Sequence, residues 1–274
     1  MKITSIIIEN KRHLALYNNG KFALLEDYGI NKNAIMDLSE SDLNSMENIK
    51  GFKEYDFKFE SLIDQRSTLH CIGLNYKSHV QEHGNQKVPD VPLVFSKSNN
   101  TFTGNNSNVV AEEGMQVDYE GELAVMIGKD ARNVDEANAL DYVYGYFIGN
   151  DVSSRLMQYK TSQFYLGKTF DKFYPNGPYL AVNEIEDPQA LTIKTTVNGE
   201  LRQNSSTDYM IFNVKHLISY ISQFLTLRKG DCISTGTPSG VVLGMPENSK
   251  KWLKAGDTVQ VEISGLGKLK TSFI

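Results

Sequence analysis

The chain has 274 residues, enough for one large domain or a main domain with a small companion, and its 40% hydrophobic and 22% charged content is that of an ordinary globular fold. Its net charge of −5, with no stretch that clusters Lys and Arg among aromatics, argues against nucleic acid as a partner. No apolar run approaches the roughly 20 residues that span a bilayer, so no membrane partner is expected. The opening MKITSIIIENKRHLAL is interrupted by Glu9, Asn10 and Lys11 and reads as a strand and turn rather than a signal peptide. Cys71 and Cys232 both adjoin apolar residues, which points to buried free thiols in a reducing compartment and to a cytoplasmic location.

The first fifty residues read as short strands at 4–8, 13–17 and 21–25, joined by turns such as Asn18-Asn19-Gly20. A polar helical stretch is expected at 35–49, followed by a Phe- and Tyr-rich segment at 51–60. A boundary near Ser67 divides a small N-terminal domain, 1–66, from a main domain, 67–274. Strands then dominate, at 69–72, 92–95, 117–127, 142–149, 178–182, 191–197, 231–235, 258–263 and 269–273. Asn198-Gly199 is a strong two-residue hairpin signal, and Gly265-Leu266-Gly267 closes another. The clearest helix is 213–227, where Val214, Leu217, Ile218, Ile221, Phe224 and Leu225 form an apolar stripe. Shorter helices are expected at 135–139 and 76–83. The fold class is a β-rich α+β arrangement with a few covering helices.

Three acidic residues stand out. In VDYEGELAVMIG, alternation on a strand would put Glu120 and Glu122 on one face, roughly 7 Å apart, and Asp151 ends the following strand in YFIGND. Carboxylates pinned together repel unless a cation, a proton or water separates them, and a hard divalent ion takes such oxygen ligands. In CIGLNYKSHVQEHG, a short helix with Asn75 as N-cap and Gly84 as stop would place His79 and Glu82 three apart on one face. A carboxylate beside an imidazole fixes its tautomer and raises its basicity, as a general base requires. His83 carries no such patterning and reads as an exposed residue or part of the helix end. Arg155 and Gln158 are also three apart, and Arg suits a carboxylate through its planar fork. Lys168, in LGKTFDKFYPNGP, could hold a substrate oxygen. The hydroxyl- and Gly-rich loop Ser234-Thr235-Gly236-Thr237-Pro238-Ser239-Gly240 could hold an anion.

These segments, in this order, resemble the fumarylacetoacetate hydrolase family over residues 67–274. The matching pieces are GLNYKSHVQEHG, VDYEGELAVMIGK, GNDVSSRLMQ, GKTFDKFYPNGP, STGTPSGV and KAGDTVQVEISGLGKLKTSF. The sequence departs from the family's pattern at Ser98, at Asn105-Asn106 and at Ser153-Ser154, none of them a proposed ligand. The resemblance implies a mixed β-sandwich roll, a small N-terminal β-rich region and a homodimer. It implies that Glu120, Glu122 and Asp151 hold Mg²⁺ or Mn²⁺, with Ca²⁺ also compatible. It makes His79 and Glu82 a catalytic dyad with Lys168 beside them, and Arg155, Gln158 and Thr235 substrate contacts.

The expected activity is metal-dependent hydrolysis of a C–C bond in a small 2-oxo acid of the acylpyruvate or fumarylpyruvate type, through a pyruvate enolate. His79 would activate the attacking water. Oxaloacetate decarboxylation, or isomerisation or decarboxylation of 2-oxo diacids of aromatic breakdown, uses the same enolate and stands as the alternative. A non-catalytic metabolite-binding protein is the reading from a different class.

Overall fold

The computed structural model describes residues 1–82, 84 and 87–274. Its strands begin β1 (Lys2–Ile8), β2 (Lys11–Asn18), β3 (Lys21–Leu24), β4 (Lys58–Phe59), β5 (Leu69–Gly73) and β6 (Leu93–Lys97). Next come β7 (Phe102–Thr103), β8 (Ser107–Val109), β9 (Val117–Asp118), β10 (Gly121–Ile127), β11 (Val143–Asn150) and β12 (Ser153–Ser154). The last are β13 (Tyr174–Ala181), β14 (Thr192–Val197), β15 (Glu200–Ser206), β16 (Cys232–Ser234), β17 (Thr258–Ile263) and β18 (Gly267–Phe273). The α-helices are α1 (Glu40–Met46), α2 (Lys77–Glu82), α3 (Arg155–Gln158), α4 (Tyr165–Lys168) and α5 (Val214–Phe224).

Among the described residues, one large sheet runs β3-β2-β1-β13-β11-β10-β16-β5-β6, with β4 added beside β1 and β7 beside β13. A second runs β15-β14-β17-β18-β8, and β9 pairs with β12 in a two-stranded ribbon. Most pairs are antiparallel, but β5–β16, β7–β13 and β8–β18 are parallel. The two large sheets share one apolar core, which makes the fold a mixed β-sandwich roll. Leu123, Val125 and Ile127 of β10 meet Ile193, Val259, Val261 and Leu269 of the second sheet there, together with Val214, Leu217, Ile218 and Ile221 of α5. Each such side chain contributes about 1.5–3 kcal/mol by leaving water.

The alternate residues of β10, Ala124 and Met126, point into a different core. They pack with Phe147 and Tyr174, and with Leu14, Leu16, Leu25, Ile35 and Leu38 from the N-terminal region. The strand is therefore buried on both faces, along its whole length. The N-terminal strands reach this position because β1 hydrogen-bonds to β13, with Ile3 opposite Leu180. Residues 1–66 thus extend the sheet that the later strands build.

Local chemistry explains most element boundaries. Asn213 caps α5 by accepting the His216 N–H at 2.8 Å. Asn198 and Gly199 take φ values of 51° and 82°, the left-handed pair of a two-residue hairpin between β14 and β15. The helix expected over 35–49 is divided into a 3₁₀ turn, Ile35–Asp37, and α1, because Ser39 and Asp42 form a reciprocal capping box that starts a new helix. The helix expected at 135–139 is a 3₁₀ segment, Glu136–Tyr142. Gly84 takes φ 87° just past α2, as a helix stop requires. Asn75 does not cap α2: its side-chain amide donates to the carbonyls of Phe212 and Thr235 and accepts the Phe212 N–H, tying three loops together. His83 lies outside the described residues. Cys71 and Cys232 are buried and free. Among the described residues, no helix is long and apolar enough to cross a membrane.

Gly121 lies where β10 packs against the second sheet. A Cβ there would collide with the Thr195 side chain and lie 2.9 Å from Val261 Cγ1 and 3.2 Å from Gln203 Oε1. Gly121→Ala is expected to destabilise the fold by about 1–3 kcal/mol through overpacking, measured as a lowered urea midpoint with an unchanged m-value.

Candidate active site

The strand expected to run unbroken through Glu120 is interrupted there. β9 ends at Asp118 and β10 begins at Gly121, because the backbone between them bonds to other partners. The Glu120 N–H donates to Asn150 Oδ1 at 3.1 Å, the Glu120 carbonyl accepts the Asp151 N–H at 2.9 Å, and the Gly121 N–H donates to Gln203 Oε1 at 3.1 Å. This kink clamps Glu120 to the end of β11, where Asp151 emerges. Carboxylate oxygens of Glu120, Glu122 and Asp151 lie within 4.8 Å of one another, all three residues buried.

Cations surround this group. Lys168, presented by α4, bridges Glu120 Oε2 and Asp151 Oδ2, each at 2.8 Å. Lys97, at the end of β6, reaches Asp151 Oδ1 at 2.5 Å and donates to the Val152 carbonyl at 2.9 Å. Arg155, the first residue of α3, meets Glu120 Oε1 at 2.7 Å and Asp118 Oδ2 at 2.9 Å, and it donates to Gln158 Oε1 at 2.8 Å. Asp118 is itself saturated, accepting the backbone N–H groups of Tyr119, Val242 and Leu243. Glu122 has a different environment: Ser234 Oγ and the Gly236 N–H both donate to its Oε2.

The electrostatics divide the carboxylates. Burial works against ionising Glu120, yet Lys168 and Arg155 outweigh it and hold Glu120 well below the usual carboxylate range. Burial pushes Glu122 far up, and the neighbouring charges of Asp151 and Glu120 add to it. Lys168 stays firmly protonated: burial opposes its charge, but Asp151 and Glu120 together prevail.

The acid–base pair lies on α2, where His79 Nδ1 and Glu82 Oε1 are 2.7 Å apart. Glu82 is fixed from its other side by the Gly240 N–H, 2.8 Å from Oε2. His79, Glu120, Arg155, Gln158 and Lys168 line one cavity of about 80 Å³, with Thr237 and a group of apolar side chains. The structure thus brings eight of the residues singled out in the sequence into one site. Thr235 is the ninth and does not line the cavity; it is buried, its hydroxyl donating to the Leu123 carbonyl at 2.9 Å. Thr237 occupies the wall. Lys97 and Asp118 escaped the sequence reading altogether. The signal available for Lys97 was a lysine closing the apolar strand LVFSK, and for Asp118 an acid on a segment already rich in acids.

The donor set fits a hard divalent cation. All three are carboxylates, they converge from the β10 kink and the β11 end, and one of them is driven toward its neutral form by burial, with the charges of the other two adding to it. An ion of the Mg²⁺ or Mn²⁺ type held by Glu120, Glu122 and Asp151 would relieve that repulsion.

Residues 68–274 match the model of the fumarylacetoacetate (FAA) hydrolase C-terminal domain. The chain belongs to the fumarylacetoacetate hydrolase family, a family of enzymes. It is 47% identical over 211 residues to the fumarylacetoacetate hydrolase domain-containing protein 2 homolog of Dictyostelium discoideum, covering 73% of this chain and 68% of that protein. It is 43% identical over 203 residues to the oxaloacetate tautomerase YisK of Bacillus subtilis, covering 73% of this chain and 67% of that one. The fumarylacetoacetate hydrolase from psychrophilic Exiguobacterium antarcticum has the same fold, with a TM-score of 0.87 at 28% identity over 100% of this chain and 99% of that one.

Two outcomes test this site. Asp118→Asn should cost about 3–5 kcal/mol, because it leaves the buried Arg155 short of a counter-charge; equilibrium denaturation measures it. Adding Mn²⁺ to metal-free protein should raise the melting temperature, and by more as pH rises, because metal and proton compete for the Glu122 carboxyl that burial pushes up; thermal denaturation across a pH series measures it. In Glu122→Gln both effects should be lost.

Proposed function

We propose that the chain catalyses proton transfer between the enol and keto forms of a small 2-oxo acid of the oxaloacetate type. The observation that carries this reading is the His79–Glu82 pair, set in the wall of the same small cavity as Glu120 and Lys168. The 43% identity to an oxaloacetate tautomerase supports it.

In the tautomer whose Nδ1–H donates to Glu82, Nε2 is the ring atom that would exchange a proton with substrate. That atom would take a proton from C3 of the keto acid while the electron pair moves to form the C2–C3 double bond. The proton then goes to the oxygen on C2, which completes the enol, and the reverse sequence restores the ketone. The imidazolium formed midway is stabilised by Glu82, which the Gly240 N–H holds in place. A divalent ion held by Glu120, Glu122 and Asp151 would supply positive charge where negative charge develops on the keto oxygen. Lys168 adds its own charge on the same side, and Arg155 fixes the orientation of Glu120.

The dyad also discriminates among the reactions that share an enolate. Decarboxylation needs no base, so a dyad with a fixed carboxylate favours chemistry in which a proton is abstracted. C–C bond hydrolysis of an acylpyruvate is therefore the second reading: there His79 would draw the proton from water attacking the distal carbonyl.

His79→Ala should lower tautomerisation about 10²–10⁴-fold while Mn²⁺ still raises the melting temperature. The decay of enol absorbance of oxaloacetate in the ultraviolet, on Mg²⁺- or Mn²⁺-loaded protein, is the measurement. Pyruvate and acetate released from acetylpyruvate in a parallel assay would establish the hydrolytic reading. A metal-loaded protein silent on both would point to a longer 2-oxo diacid substrate or to a metabolite-binding protein.

A further inference from the structure

The cavity has a second, apolar wall that the chemistry above does not use. Phe164 lies at its centre. Its ring meets Phe95 edge-on, with centroids 5.8 Å apart at 80°, and meets Tyr159 in the same manner at 6.2 Å and 72°. The three rings come from separate places: Phe95 from β6, Tyr159 from the C-terminal end of α3, and Phe164 from the residue before α4. All three line the cavity. Lys168 Nζ stands only 5.3 Å from the centre of the Phe95 ring, so the charged wall and the aromatic wall are barely a ring's width apart. A volume of about 80 Å³ is small beside the ~300–1,000 Å³ of common ligand pockets.

We infer that Phe164 determines specificity by ending the cavity, so that the site accepts short 2-oxo acids and excludes those with a longer chain beyond C3. The inference rests on reading this cavity as the 2-oxo acid site, and it adds the length limit and the residue that sets it. An acid anchored by its polar end among Glu120, Arg155 and Lys168 extends toward the rings. Phe95 is held in β6, two residues from Lys97, and cannot retreat without moving that strand. Phe164 meets both of the other rings edge-on. Its backbone carbonyl accepts the Lys168 N–H at 3.2 Å, a bond that survives any change of side chain. Shortening Phe164 therefore opens the cavity without removing the bond that places Lys168.

The test is calorimetric binding of pyruvate, 2-oxobutyrate and 2-oxohexanoate to Mn²⁺-loaded wild type and to Phe164→Ala, Phe164→Leu and Phe164→Trp. In the wild type, affinity should fall about tenfold or more between 2-oxobutyrate and 2-oxohexanoate. Phe164→Ala and Phe164→Leu should each recover most of that loss, and Phe164→Trp should move the cut-off to a shorter acid. The same length profile in the wild type and in every folded variant overturns the inference while leaving the 2-oxo acid reading intact. Should the alanine variant fail to fold, the leucine and tryptophan variants still give opposite expected shifts. A wild type that binds none of the three acids overturns the 2-oxo acid reading itself, and the length limit with it.

Discussion

Four carboxylates, two ammonium groups and a guanidinium are buried together, and most of the local structure around them serves to keep those charges matched. An unpaired ion at such a depth costs several kcal/mol, and breaking one buried pair costs nearly as much. Lys168 answers this by spanning Glu120 and Asp151, Lys97 by closing on Asp151 from β6, and Arg155 by joining Glu120 to Asp118. Each match comes from a different element, so the cluster cannot form until β6, the β10 kink, the end of β11 and α3–α4 are all in place. Glu122 is the exception. It has hydrogen bonds from Ser234 and Gly236 but, among the described residues, no cation at contact, so among the three it is the carboxylate most in need of a positive partner.

The N-terminal region acts on this cluster from below. No described residue of 1–66 lines the cavity. Yet Leu14, Leu16, Ile35 and Leu38 cover the face of β10 that carries Ala124 and Met126, and that same face carries Glu122. Without this cover, the face of the strand that presents Glu122 would be open to water. The screening would weaken every ion pair above it. A region that supplies no chemistry can in this way set the dielectric in which the chemistry occurs.

Much of this was legible in the sequence because it is written in local pattern. The Asn198-Gly199 hairpin, the capped stripe of α5 and the paired acids of VDYEGELAV depend on neighbours a few residues away. What could not be read was set by contacts across the chain. The break at Glu120 depends on Asn150 and Gln203, so alternation alone implied a straight strand and a simple pleat separation. Asn75 has the composition of an N-cap but is taken by Phe212 and Thr235, more than a hundred residues away. Lys97 reads as an ordinary strand-end lysine until β6 is laid beside the end of β11. Thr235 and Thr237 look equivalent in STGTP. Both hydroxyls donate to backbone carbonyls, of Leu123 and Gly121, and only the folded cavity, whose wall takes Thr237 and not Thr235, separates them.

The acid–base pair and the carboxylate kink are joined through one glycine. Gly240 donates its N–H to Glu82 Oε2, and its carbonyl accepts the Tyr119 hydroxyl at 2.6 Å. Tyr119 is the residue before Glu120, so a path of two hydrogen bonds links the orienter of the base to the backbone of a proposed metal ligand. Position 240 has little choice of residue. Its φ of 109° lies where side chains are strained, and a Cβ there would run into the Arg202 carbonyl. A proton-transfer site needs base and oxyanion stabiliser held within fractions of an ångström of their working separation, since a small misplacement weakens both hydrogen bond and charge stabilisation. Mounting His79 on a short helix alone would leave that separation to the helix's own movement. Fixing Glu82 to Gly240, and Gly240 to Tyr119, references the base to the kink that carries the carboxylates. The glycine in this loop is thus required for where it places two groups relative to each other, although it carries no chemistry of its own.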